Sequence, residues 1–525
     1  MRGGHILRQL GLVFGLLPVT GNLFGQSATP SYQAAIQFVQ QGQFERGIPI
    51  ILHILEASPS DLKARNLLGI ALSGAGRKEE ANVEFRKLLD MQPGFLPVIK
   101  NLAVNELALG QFAEARGHFE QVLKASAQDP VAHFGMGELS FTEQRFDQAV
   151  AHYDSSGDLY LKDPEATIRY ARSCVHEKRT DAAAAALGKM SPQADARTHF
   201  AAGVLLAGIE KYPEAAREFQ IAQSGYPDPY QAGYNLTLAY EKAGDHARAL
   251  RAGEAVLAKG YRKAELYNLM AQAYEQTGRT KDAYEALRLA TQADPRDETN
   301  YIDLMALCLT HQNYELSVEI SEIALRVLPR SYRVHLELGV VRAMQGTFED
   351  AEQEFATASR LGGEANLPYV ALALVRMQMN KLPEAVEVLR QRRKANPGDY
   401  LPHWFLGEAL NREGVLPGSP EEAEAVSALE ESIRLKPDRG APRTLLGKFL
   451  SKRGDLVRAA QNFEAALKLD PEDNTATYQL ALVYRKQGDT RRAEELFEKV
   501  RKSKAEDNEQ VTQRNLVQIL REGAR

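Results

Sequence analysis

Apolar residues in this chain return at the spacing of a helix face, and the helix-length stretches are cut by glycine and proline at regular intervals. Leu446 and Leu450, and beyond a glycine Phe463 and Leu467, keep the four-residue step of an amphipathic helix. The second of these stretches, GDLVRAAQNFEAALKLDP (residues 454–471), has close variants in GRTKDAYEALRLATQADP, ending at Pro295, and GRKEEANVEFRKLLDMQP, ending at Pro93. Ala215, Ala249 and Ala283 stand 34 residues apart, as do Ala459 and Ala493. The pattern predicts a repeated pair of helices.

Counting from Gly440 as place one, Gly447, Gly454, Ala459, Phe463, Ala466 and Pro471 fill places eight, fifteen, twenty, twenty-four, twenty-seven and thirty-two. Gly69, Gly76, Ala81, Phe85, Leu88 and Pro93 fill the same columns, and so do Ala271, Gly278, Ala283, Leu287, Ala290 and Pro295. Small residues at places eight and twenty let two helices approach closely. Glycine at fifteen permits the positive φ that ends the first helix, and proline at thirty-two stops the second. One unit is a helical hairpin with apolar surface on both sides. It buries that surface only by stacking on its neighbours.

A 34-residue helical hairpin with these columns resembles the tetratricopeptide repeat. The resemblance runs from about residue 28 to about residue 505 and gives about fourteen units. It implies an all-α fold, a right-handed α-solenoid superhelix. The expected organisation is a repeat array over 28–195 of about five units, a second over 196–505 of about nine, and a capping helix over 506–525. The fifth unit, around DAAAAALGKMSPQADA, is degenerate and has no glycine at place fifteen; extra residues near Gln128 and Lys162 lengthen two linkers. In the twelfth unit VLPGSPEEAEAV, residues 415–426, reads as an inserted loop from its Pro, Gly and Ser.

Composition agrees with an ordered helical protein: 44% hydrophobic residues, 25% charged and one tryptophan. A net charge of -5 offers no global attraction to phosphate backbones, so nucleic acid is not an expected partner. Two cysteines, Cys174 and Cys308, lie several repeats apart and read as small buried apolar residues rather than a disulfide. At the N-terminus, Arg2 and Arg8 accompany the apolar run LGLVFGLLPVTGNLF, which reads as an export signal over residues 1–25. Cleavage near Gly25 and an uncleaved anchor are both open. There is no cysteine there to acylate, and no later stretch has the ~20 apolar residues of a membrane span.

The chain carries no G-x-G-x-x-G, Walker-type phosphate loop, H-E-x-x-H or G-x-S-x-G in a strand context. No catalytic residue, metal site or cofactor is expected. His118, His133, His152, His335 and His403 lack metal-ligand spacing. The sequon at Asn235 lies within a predicted helix, and Asn66, Asn101, Asn235 and Asn268 stand near the place of asparagine ladders without forming a consecutive set.

Function then rests on surfaces. In the tetratricopeptide family, places two, five, nine, twelve and thirteen of the first helix line a concave groove that binds peptides. Here those places hold Ile302, Ala306, Leu336, Val340, Met344, Val370, Leu374, Met377 and Trp404. They read either as an apolar partner groove with Trp404 and the methionines as anchors, or as core, since one place of register turns a side chain by about 100 degrees. Lys448, Lys452, Arg485 and Lys486 occupy the same places in the last two units. They suit an acidic segment or a terminal carboxylate, or form a solvated helix face. Two functions fit: an exported scaffold of the cell envelope or periplasm that holds a partner polypeptide, and a regulatory or substrate-binding subunit of an envelope enzyme, secretion or polysaccharide export complex.

Overall fold

The computed structural model describes residues 30–503. The expected signal segment (1–25) and capping helix (506–525) fall outside the described residues. Between Pro30 and Ser503 the described residues form fourteen consecutive helical hairpins with no strand. In each hairpin a first helix, called A here, is followed after a tight turn by a second, B. Hairpin 13, for example, is Gly440–Arg453 followed by Leu456–Leu469.

The chain divides into two compact units, residues 1–261 and 262–525. The first holds hairpins 1 to 7 and the second hairpins 8 to 14. Within each, B helices pack on the next A helix at every step but the one from Thr180–Gly188 to Ala196–Gly208, and most successive A helices also touch. The break expected at 195/196 falls inside the first unit, where Pro164–His176 packs directly on Ala196–Gly208.

The columns have direct packing causes. In hairpin 13 the ring of Phe463, fully buried, fills the space that a side chain on Gly447 would need; a Cβ there would lie 2.6 Å from the ring. Gly69 with Phe85, Gly203 with Phe219 and Gly339 with Phe355 repeat this arrangement at 2.3, 2.7 and 2.5 Å. In hairpin 3 Ala103 fills place eight, and the Phe119 ring lies instead against Gly135 of the next hairpin, at 2.2 Å from its notional Cβ. Hairpin 8 resolves the same conflict with Ala271 opposite Leu287, both buried.

Place fifteen is left-handed whether or not glycine stands there. Gly454 has φ +88°, and the degenerate fifth unit keeps its turn with Lys178 at φ +59°. That unit is an ordinary hairpin with a short B helix, Thr180–Gly188. The extra residues before it form a 3-10 turn, Gly157–Lys162, with the Tyr160 ring 4.3 Å from that of Tyr170.

The insertion in hairpin 12 corrects the expectation. Only 414–419 are non-helical, and the rest extends the B helix, Pro420–Leu435, to 16 residues. Ser419 caps it by accepting from Glu422 N at 3.1 Å, Pro420 opens its first turn, and Glu422 accepts from Gly418 N at 2.6 Å. This is a reciprocal N-terminal cap.

Candidate functional site

The described residues bring no group of three or more His, Cys, Asp or Glu together in a way that holds a metal ion. Several of their histidines pair between the two helices of one hairpin. His199 meets Glu218 at 2.6 Å and His335 meets Glu354 at 2.6 Å, both buried or half-buried. In both pairs the partners stand at places four and twenty-three. Arg65 and Glu84 repeat the geometry at 2.5 Å, and His133 and His152 place two imidazoles 3.0 Å apart at the same positions. His118 Nδ1 donates to the carboxylate of the buried Glu106 at 2.7 Å. These side chains tie A to B. Burial, then the neighbouring His133 and Arg116, lower the pKa of His152, and burial lowers that of His403. Cys174 and Cys308 are buried thiols, one in each unit, with burial raising the pKa of both. The sequon residue Asn235 lies inside the helix Pro229–Lys242, its amide donating to Gln231 O.

The apolar groove residues divide. Leu336, Val340, Val370 and Met377 are buried, with 5%, 3%, 0% and 4% of their surface exposed, and belong to the hydrophobic core. The reason is the contact between successive A helices, which closes over places five, nine and twelve. Ile302, Met344, Leu374 and Trp404 are half-buried and pack on the margins of the same clusters. Trp404 stacks on Phe405 with ring centroids 4.5 Å apart. Of the two readings the sequence left open, core describes Leu336, Val340, Val370 and Met377, while Ile302, Met344, Leu374 and Trp404 form a half-buried rim.

The basic residues behave differently. Lys448 and Lys452 on Gly440–Arg453, and Lys486 on Asn474–Gln487, line one cleft of about 290 Å3 together with Asn411, Ser451, Gln479 and Leu482. Asn411 belongs to the A helix of hairpin 12, so three consecutive A helices contribute. Lys452 Nζ donates to Asn411 Oδ1 at 3.4 Å and lies 5.9 Å from the Phe449 ring centroid. Among the described residues none of the three lysines is ion-paired, and no carboxylate lines the cleft. Arg485 stands apart, exposed, with its guanidinium 5.4 Å from the Phe497 ring centroid. Asn411, Ser451 and Gln479 were missed by sequence reasoning. Their signal was the same register, places twelve and six, but none is charged.

Three ammonium groups held at one concavity and lacking local counter-ions are suited to a ligand with closely spaced carboxylates. Asn411 and Gln479 add amides able to bond a peptide backbone. Among the described residues no hydrogen bond joins the Ser451 hydroxyl to a lysine of the cleft.

Tetratricopeptide-repeat models match residues 106–166 and 450–513, 264–297, and 200–260, 309–365 and 370–440, together more than half of the chain. The peroxisomal targeting signal receptor of Saccharomyces cerevisiae is 33% identical over 86 residues, 16% of this chain and 14% of that protein. The receptor of the same name from Candida glabrata is 29% identical over 120 residues, 23% and 20% of the two chains. The chain therefore spans a fifth or less of the length of these curated relatives. Among solved structures, yeast Tom70 has 15% identity and a TM-score of 0.38, covering 94% of this chain and 95% of that one. The Cut9–Hcn1 hetero-tetramer of APC/C has 11% identity and a TM-score of 0.35, covering 86% and 96%.

Proposed function

The chain belongs to the tetratricopeptide-repeat family, and from that premise we propose that it is a non-enzymatic interaction scaffold whose A-helix face grips an acidic segment of a partner polypeptide. The observation that carries the reading is the convergence of Lys448, Lys452 and Lys486 on one cleft without an acidic lining residue. Lysine side chains normally spread on a solvated face. Here three of them, from two hairpins, share a concavity of about 290 Å3 with Asn411 and Gln479. The apolar rim of Ile302, Met344, Leu374 and Trp404 is a secondary surface along which a longer partner continues. We place the scaffold in the cell envelope or periplasm, on the strength of Arg2, Arg8 and the apolar run that follows.

Fluorescence anisotropy with labelled acidic, neutral and basic decapeptides tests the binding reading. The acidic peptide binds the full chain, and Lys448→Glu/Lys486→Glu weakens it about tenfold or more, on the order of 1.4 kcal/mol. Equal binding of the neutral peptide, or an unchanged isotherm in the double variant, sinks the proposal. Leu374 offers a cleaner probe of the rim than Leu336, because a charge at the buried Leu336 unfolds rather than unbinds.

A further inference from the structure

A second charged concavity lies in the first unit, on the side of the B helices. Arg217 and Gln220 on Tyr212–Ala222, Gln223 just beyond it, Tyr240 on Pro229–Lys242, and Arg248 and Arg251 on His246–Ala258 line a trough of about 870 Å3. Arg217 and Arg251 stand 34 residues apart at the same place, twenty-two, of consecutive hairpins. The repeat therefore sets two guanidinium groups on neighbouring parallel helices, and Arg248 adds a third one turn away.

Their local charges leave them available. Among the described residues Arg251 has no ion pair or hydrogen-bond partner. Arg217 has only Glu214, three residues back on its own exposed helix surface and 3.7 Å away. Arg248 lies 3.4 Å from Asp245, the one acidic lining residue, but that carboxylate already accepts from Arg248 N at 3.0 Å as the helix cap. Exposed pairs of this kind hold a side chain weakly. Two further contacts give the trough a fixed floor: the Tyr240 hydroxyl donates to Gln220 at 3.0 Å, and the Arg248 guanidinium sits 5.8 Å over the Tyr240 ring.

We propose that this trough is a second docking site, for an extended acidic polypeptide segment whose carboxylates alternate along it. Guanidinium forks bind carboxylates in a bidentate manner, and two forks on successive B helices offer separate partners to successive carboxylates of one segment. The trough is at the upper end of the sizes typical of small-molecule pockets. The carboxamide of Gln223 presents a donor and an acceptor that suit a peptide backbone rather than a lone inorganic anion. The site is separate from the lysine cleft.

The probe is a fluorescein-labelled glutamate decamer titrated by anisotropy into the full chain and into surface variants of unchanged helicity. With Lys448→Glu/Lys486→Glu, a saturable binding component remains. Adding Arg217→Glu/Arg251→Glu removes it, and Arg217→Lys/Arg251→Lys, which keeps charge but loses the fork, weakens it at least threefold. An isotherm untouched by the arginine reversal overturns the second site while leaving the lysine cleft standing. Displacement of the decamer from the lysine-reversed variant by equimolar inorganic phosphate also overturns it, since the trough then binds a lone anion. Loss of all binding in Lys448→Glu/Lys486→Glu alone overturns it as well.

Discussion

Replacing Gly447 by alanine sets two physical effects against each other. Gly447 lies inside the helix Gly440–Arg453, where alanine is favoured over glycine by roughly 0.8–1 kcal/mol on propensity alone. Against this, the new Cβ falls 2.6, 2.8 and 2.9 Å from three atoms of the Phe463 ring, a side chain with no exposed surface. Overpacking of a dense core costs about 1–3 kcal/mol, and with three ring atoms overlapped the upper half of that range applies. Phe119 shows where such a ring goes when place eight is filled, namely against Gly135 at place six of the next hairpin. Phe463 has no such refuge, because Gln479 occupies that place. The net expectation is a loss of about 1–2 kcal/mol. Repeat arrays do not unfold in one step, so the measurement is native-state hydrogen exchange in peptides from residues 440–469. The paired change Gly447→Ala/Phe463→Leu copies Ala271 and Leu287 and should recover at least about 1 kcal/mol beyond additivity. Raised protection in Gly447→Ala, or strict additivity in the pair, refutes the packing account.

Lys178→Gly relieves a left-handed residue at φ +59° and should stabilise hairpin 5 by about 1 kcal/mol, read as slower exchange across 164–188. Native His152 has a lowered pKa, so below its unfolded value near 6.5 the unfolded chain binds the proton first. Its contribution to stability is complete above that value and is lost as the pH falls through it toward the native pKa. In His152→Gln the acid-dependent loss of protection in residues 130–155 should therefore diminish, and an unchanged profile between pH 7 and 5 would count against it. Limited proteolysis should cut first within 414–419, where Leu416 is 73% exposed. Ser419→Ala, which removes the cap on Pro420–Leu435, should speed that cut and cost about 1 kcal/mol.

The hairpin architecture was legible because its determinants are local and repeated: Gly447 against Phe463 or Gly454 in its turn can be recognised by spacing alone. The choice between groove and core for the apolar places was not, because burial of Leu336 and Val370 depends on how closely adjacent A helices approach, which no single helix pattern records. Ser419, Pro420 and Glu422 carried readable cap signals, yet the Pro-Gly-Ser composition of their neighbours pointed to a loop. The pairs at places four and twenty-three, such as His199 with Glu218, were hidden because each residue is unremarkable until the hairpin closes. Lys448, Lys452 and Lys486 were found by register, and only the fold separates them from Arg485.

The Gly–Phe contact is made within one hairpin, as Gly69 with Phe85 and Gly339 with Phe355 illustrate. Such a unit carries its own closure. Copying or excising 34 residues of coding sequence leaves that closure intact, and selection has only to adjust the faces turned toward the neighbours. An array built this way can lengthen by duplication while its binding surfaces diverge, and the departures at Ala103 and Ala271 mark where copies have found different solutions to the same contact.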